Sequence, residues 1–70
     1  MPKISGIGSE QAVRVFEKIG FRIIRQAKHI VMSDGLTRLT IPRHKTINAY
    51  TMGAIARDAG LTPEEFRELV

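Results

Sequence analysis

The sequence has no cysteine and no tryptophan, and its 70 residues include one tyrosine and three phenylalanines. The lack of cysteine excludes disulfides, thiolate nucleophiles and thiolate metal sites, and it suits a reducing compartment. No run of apolar residues exceeds three, which is too short for a membrane span or a signal-peptide core. We therefore expect a cytoplasmic protein with one domain over residues 1–70, held together by packing alone.

Positive charge is unevenly distributed along the chain. The net charge is +4, from 11 Lys and Arg against 7 Asp and Glu. Residues 20–48 contain both histidines and a single acid, Asp34, beside six of the cations. These six are Arg22, Arg25, Lys28, Arg38, Arg43 and Lys45. Such an excess is typical of a surface that binds a polyanion, although basic side chains can also serve only to solvate an exposed sheet.

Apolar spacing predicts an α+β fold with the order α-β-β-β-α-α, a three-stranded antiparallel sheet with helices on one face. The first helix, of about 11 residues, starts at Gly8 or Ser9 and ends at Gly20, after a lead-in, residues 6–8, that we expect to be flexible. Strands are predicted at 21–26, 28–33 and 36–41, the last closed by Pro42. A helix over 48–59 follows, and a capping box at residues 62–65 begins the last one.

The dipeptide Asp34-Gly35 predicts a two-residue hairpin turn between the second and third strands. This register places Ile30 opposite Leu39 and His29 opposite Thr40. Because side chains alternate across a strand, Ile30, Leu39 and Ile41 should face the core. The open face should then carry His29, Val31, Arg38 and Thr40.

Few residues could carry chemistry. Two histidines without cysteine, and with Asp34 as the only nearby acid, do not make a transition-metal site, and no phosphate-binding glycine motif occurs. An imidazole exchanges protons near neutral pH, and RNA cleavage needs only proton transfer, since the attacking 2′-hydroxyl belongs to the substrate. His29 is therefore the candidate catalyst. His44 is expected at the same end of the sheet, where Pro42 can also direct it elsewhere.

Four segments resemble the HicA family of prokaryotic toxins in their order along the chain. They are Glu17-Lys18-Ile19-Gly20-Phe21, Arg25-Gln26-Ala27-Lys28-His29, residues 39–44 (LTIPRH) and residues 55–62 (IARDAGLT). The resemblance covers about residues 8–70 and implies a fold like that of double-stranded-RNA-binding domains. It also implies a ribosome-independent mRNA interferase that a HicB antitoxin inhibits by covering the active site. From the residues above, we expect the reaction to need neither a metal nor a cofactor.

The resemblance assigns the catalytic role to His29, because the family's catalytic histidine follows Gly-Ser at the start of the second strand. Here Ala27-Lys28 stands in place of Gly-Ser. Lys28 could add a cation that binds phosphate, or the loss of the small pair could keep the RNA backbone away and leave a binding domain with little turnover.

We therefore expect an endoribonuclease of single-stranded mRNA that has no membrane partner. The expected RNA-binding residues are Arg22, Arg25, Lys28, Arg38, Arg43, His44 and Lys45. Two alternatives remain: a non-catalytic RNA-binding domain, and a partner-binding domain in which exposed Ile24 or Val31 and the basic rim dock another protein.

Overall fold

The computed structural model describes residues 2–70. It contains α1 (Ser9–Lys18), β1 (Arg22–Gln26), β2 (His29–Ser33), β3 (Arg38–Pro42), α2 (Ala49–Asp58) and α3 (Pro63–Leu69). The strands form one antiparallel sheet in the order β1-β2-β3. The α+β fold and the order α-β-β-β-α-α are thus confirmed.

The core lies between the helices and one face of the sheet. Ile30, Met32, Leu39 and Ile41 of the sheet are buried and belong to one apolar cluster with the helices. Phe16 of α1 joins them to the other aromatic rings: its centroid lies 6.0 Å from that of Phe21 and 5.7 Å from that of Phe66, both with edge-to-face geometry. Such pairs stabilise a core beyond their buried area.

The segment before α1 contributes two side chains to the core, so the predicted lead-in, residues 6–8, is not a loose connection. Ile4 and Ile7 are buried, and both are fixed by backbone hydrogen bonds: Ile4 donates to Ala49 and Ile47 donates to Ile7, over 3.0 and 2.7 Å. No periodic pattern marks these residues, because they belong neither to a helix nor to a strand. Their burial depends on contacts across the whole chain.

The hairpin between β2 and β3 has a longer loop than predicted. The pairs are His29 with Pro42, Ile30 with Ile41 and Ser33 with Arg38, so four residues, 34–37, connect the strands. β3 accordingly spans Arg38–Pro42 instead of residues 36–41.

The Asp34 side chain explains the longer loop. Its Oδ1 accepts hydrogen bonds from the backbone N–H of Leu36 and Thr37, at 2.9 and 2.7 Å, which is an Asx turn. Gly35 alone in this loop has a positive φ, +99°, whereas the predicted turn needs a positive φ at Asp34 as well. The register therefore differs from the predicted one by two residues. Because that shift is even, every side chain keeps its predicted face.

The helix ends follow their sequence signals closely. The Asn48 side chain accepts from the N–H of Tyr50 and Thr51 at the start of α2, and the capping box of Thr62 and Glu65 begins α3. Ala49 and Pro63 are thus the first residues of these helices.

The remaining differences from the predicted elements are small. In α1 the buried residues include Val15, which the predicted apolar stripe omits, and Ile19 lies beyond the helix end. Phe21 and Lys28, predicted as first residues of their strands, lie just outside β1 and β2.

Candidate nucleic-acid interface

The open face of the sheet, on the side away from the helices, presents His29. The residue begins β2 and is exposed, while its neighbour Ile30 points to the core. On the same face Thr40 is exposed and Val31 is half-buried. The predicted faces of β2 and β3 are therefore confirmed.

A β-bulge in β1 brings two arginines to the open face. Arg22 pairs with Ser33 and Ile23 with Met32, but the next pair is Arg25 with Val31, so Ile24 is the extra residue. Positions 22 and 25 of a regular strand face opposite ways, since side chains alternate with period two. The bulge changes this alternation and turns Arg25 to the face that carries His29.

His29 lies in a shallow depression of about 220 Å³ on this face. We call it the His29 depression; its lining residues are Arg25, Ala27, Lys28, His29, Val31 and Thr40. Two of them are cations and none is acidic. Arg25 lies near the end of β1, and Ala27 and Lys28 lie in the β1–β2 turn. The two residues directly before His29 therefore help to line the depression.

Arg22 and Arg38 lie at the opposite end of the open face. Both are exposed, and each pairs with Ser33, one on each side of β2. Ser33 is four residues from His29, about 13 Å along the strand at 3.3 Å per residue. These arginines could therefore bind a part of a long polyanion that lies well beyond the His29 depression.

Three further predicted residues, Arg43, His44 and Lys45, line a different surface. This is a groove of about 970 Å³ between α1 and the sheet, and we call it the α1 groove. Among residues 2–70, no residue lines both the α1 groove and the His29 depression. The structure thus does not bring His29 and His44 into one site.

Hydrogen bonds fix the loop that carries His44 against the start of α1. The His44 carbonyl accepts from both the backbone N–H and the hydroxyl of Ser9, at 3.1 and 3.2 Å. The backbone N–H of His44 itself donates to the Pro42 carbonyl at 3.1 Å, which turns the chain sharply after β3. A Cβ at Gly8 would lie 2.4 Å from the Lys45 carbonyl oxygen, so this close approach requires glycine.

Asp34, the only acidic residue of residues 20–48, lies in the β2–β3 loop. Hydrogen bonds from the backbone N–H of Thr37 and then of Leu36 lower the pKa of the Asp34 carboxyl below its usual value of 3.8. That carboxylate is therefore engaged by its own loop, several residues along the hairpin from the His29 depression.

Large apolar side chains are exposed at two places on the β-sheet and its loops. Ile24 in the bulge is 52% exposed, and Leu36 at the tip of the β2–β3 loop is 98% exposed. The sequence prediction named Ile24 but not Leu36, because the two-residue turn would have placed Leu36 at the start of a strand. Among residues 2–70 no helix has the length and apolar character needed to cross a membrane.

A comparison with models of protein families identifies the family of this chain. The family model described as the HicA toxin of bacterial toxin-antitoxin systems matches residues 9–61, most of the 70-residue chain. The chain belongs to the HicA toxin family. Searches of the curated proteins and of the solved structures gave no significant match. The resemblance that the sequence suggested is thereby confirmed, and with it a role as the toxin of a toxin-antitoxin system.

The HicA match spans all three strands and every predicted site residue on the two surfaces. It leaves out residues 2–8 and α3, although Ile4, Ile7 and Phe66 of these segments are buried. These segments therefore complete the core around the matched region, and the matched region carries both histidines and all the predicted RNA-binding residues.

Proposed function

We propose that this HicA toxin is an endoribonuclease that cleaves single-stranded mRNA in the cytoplasm without a metal ion. The observation that carries the proposal is His29 itself: an exposed imidazole beside Arg25 and Lys28, in a depression that no acidic side chain lines. A phosphate near an imidazole, with cations to balance its charge, is the arrangement that RNA transesterification needs.

In the proposed reaction His29 accepts the proton of a 2′-hydroxyl. The 2′-oxygen attacks the adjacent phosphorus and the bond from phosphorus to the 5′-oxygen breaks, which leaves a 2′,3′-cyclic phosphate and a 5′-hydroxyl. The proton held by the imidazole, or one from solvent, completes the 5′-hydroxyl. Arg25 stabilises the charge that develops on the non-bridging phosphoryl oxygens, and Lys28 helps to hold the phosphate.

The remaining basic residues extend the binding surface. Arg22 and Arg38 would hold RNA at the far end of the open face, and Arg43, His44 and Lys45 would hold it in the α1 groove. Binding of this kind releases counterions and weakens steeply as salt rises. Stacking of bases on Phe or Tyr can contribute little to binding, because among residues 2–70 Tyr50 is the one such side chain that is substantially exposed.

The antitoxin partner is proposed to be a HicB-type protein that covers the open face. Ile24 is 52% exposed beside Arg22 and Arg25, so an acidic surface with an apolar centre would complement it. Such a partner would inhibit cleavage by covering His29.

The test of the proposed function is cleavage of a single-stranded RNA in the presence of a chelator. Wild type is expected to give fragments with 2′,3′-cyclic phosphate ends, and His29→Gln is expected to be at least about 100-fold slower, the usual contribution of a general acid or base. A substrate with one 2′-deoxynucleotide should resist cleavage at that position. Equal rates for wild type and His29→Gln would end the assignment of His29.

The alternative, a binding domain with little turnover, has its own test at Ala27-Lys28. Both residues line the His29 depression. If the loss of the small pair keeps the RNA backbone away from His29, the double variant Ala27→Gly with Lys28→Ser should gain activity over an inactive wild type. The proposed function predicts instead an active wild type that this double variant does not improve, because it loses the cation beside His29.

A further inference from the structure

The α1 groove has features that a purely electrostatic contact with RNA does not need. Its floor is apolar: Val13 and Ile23 are half-buried, and Ile30 is 9% exposed. Its volume of about 970 Å³ is at the upper end of the range for small-molecule sites. An apolar floor next to cations suits a ligand with one flat apolar part and one anionic part.

Two glutamines line the α1 groove, and their side-chain oxygens already accept hydrogen bonds. The Gln26 Oε1 accepts from the Arg43 guanidinium at 3.1 Å, and the Gln11 Oε1 accepts from the Gly8 N–H at 3.3 Å. Each hydrogen bond orients its amide and leaves the NH₂ group as donor. These donors match the acceptor atoms on the edge of a nucleobase.

Charge in the α1 groove is mixed, and the mixture limits what can bind. Glu10, Arg14 and Glu17 follow one another at spacings of four and three along α1, so the two acids can balance Arg14. The cations without such neighbours in the groove are Arg43 and Lys45 of the loop after β3. This arrangement favours one phosphate at the loop over a polyanion that runs along the whole groove.

The walls of the α1 groove are held in place before any ligand binds. Ser9 holds the His44 carbonyl with two hydrogen bonds, and Arg43 is tied to Gln26 on the sheet. A preformed groove loses less conformational entropy on binding than a flexible surface does.

We propose that the α1 groove is a nucleotide subsite, which holds a base against Val13, Ile23 and Ile30 and its phosphate toward Arg43 and Lys45. The inference rests on the proposed function, because the nucleotide would belong to the same RNA that reaches His29. Ile30 lines the groove and its chain neighbour His29 lines the depression on the other face. An RNA that occupies both must pass around the β1–β2 turn, where Lys28 is exposed.

The test compares a groove variant with a variant of equal charge. The groove variant is Arg43→Gln with Lys45→Gln, and the control is Arg57→Gln with Arg67→Gln, two exposed arginines that line neither surface. The probes are uncleavable 2′-O-methyl RNAs of about 4 and about 16 nucleotides, the range over which single-strand-binding domains contact their ligands. The groove variant should bind the longer RNA about tenfold more weakly than the control does, a loss of about 1.4 kcal/mol. The shorter RNA cannot occupy both surfaces at once and can still bind at the His29 depression, so its affinity should fall by less.

Uridine 5′-monophosphate provides the second measurement, since it contains one base and one phosphate. In wild type it should shift the amide resonances of Ser9, Val13 and Ile23, and in the groove variant it should not. A groove variant that binds the longer RNA as the control does, with no uridine monophosphate shifts in the groove of wild type, would overturn the subsite and leave the proposed function intact.

Failure of the proposed function would look different. Wild type would then leave an unmodified single-stranded RNA uncleaved. If wild type also fails to bind the 2′-O-methyl RNAs, the uridine monophosphate titration alone decides the groove. Shifts confined to groove residues would support the subsite, and their absence would overturn it.

Discussion

The two histidines of this HicA toxin are both exposed, yet they lie on surfaces with different properties. His29 is on the open face, in a shallow depression whose charged lining residues are all basic. His44 lines a groove more than four times larger, with an apolar floor and both signs of charge. The contrast predicts different roles for the two imidazoles, although both lie near basic residues. The His29 depression suits a reacting phosphate, and the α1 groove suits the binding of a base.

Among variants that compare the two surfaces, Arg25→Gln should have the largest effect on cleavage. Removing a donor that stabilises a developing charge lowers the catalytic rate by about 100-fold or more. Arg43→Gln should instead raise KM and leave kcat within a few fold, because Arg43 lies in the α1 groove. Steady-state cleavage of one single-stranded RNA by both variants measures the effects on kcat and on KM separately. An effect of Arg43→Gln on kcat as large as that of Arg25→Gln would mean that the two surfaces act as one site.

A Gly8→Ala variant should damage the α1 groove and spare the open face. The added Cβ would lie 2.4 Å from the Lys45 carbonyl oxygen, so the loop must move. Overpacking of this kind costs about 1 to 3 kcal/mol of the free energy of unfolding. Chemical denaturation measures it, with Ser5→Ala, an exposed position nearby, as the control. The prediction is wrong if Gly8→Ala unfolds at the same denaturant concentration as the control.

Salt dependence distinguishes a phosphate contact from a general charge effect. Lys28→Gln should reduce the slope of log affinity against log salt by about 0.7, the value for one phosphate contact with a single strand. Arg57→Gln on α2, outside both surfaces, should leave the slope unchanged. Equal slopes for Lys28→Gln and wild type would remove Lys28 from the interface.

The smallest effect concerns Asp34, whose carboxylate is held by its own loop. Because the folded-state pKa of this group is lowered, its contribution to stability is present above the unfolded value near 3.8 and is lost as the pH falls through the folded pKa. Wild type should therefore be more stable than Asp34→Asn at neutral pH, and the difference should shrink below pH 3.8. Thermal unfolding over a pH series measures this, with Asp58→Asn as the control. A difference that stays constant through the acid range would contradict the lowered pKa.

Local patterns predicted the fold and the position of His29 because both follow from short-range rules. Alternation along β2 places His29 on the open face in either hairpin register, since the two registers differ by an even number of residues. The capping box of α3 is equally local. The length of the hairpin loop was not predictable from Asp-Gly alone, because Asp34 prefers to accept hydrogen bonds from its own loop.

The other parts of the site depend on contacts between distant residues. Arg25 lies on the same face as His29 only because of the bulge at Ile24, and the spacing of Arg22 and Arg25, three residues apart on a strand, was the one available signal. The α1 groove depends on Ser9 binding the His44 carbonyl, 35 residues away. No periodicity in the sequence encodes such a contact. Ile4 and Ile7 were missed from the core for the same reason.

The most direct measurement is an NMR titration that follows the imidazole resonances of both histidines as an uncleavable 2′-O-methyl RNA of about 4 nucleotides is added. The His29 ring should shift in proportion to the RNA that is bound, and the His44 ring should shift further when a longer RNA, which can occupy both surfaces at once, replaces the short one. A bound short RNA that leaves the His29 resonances where they were would contradict the claim that the open face presents the catalytic imidazole to substrate.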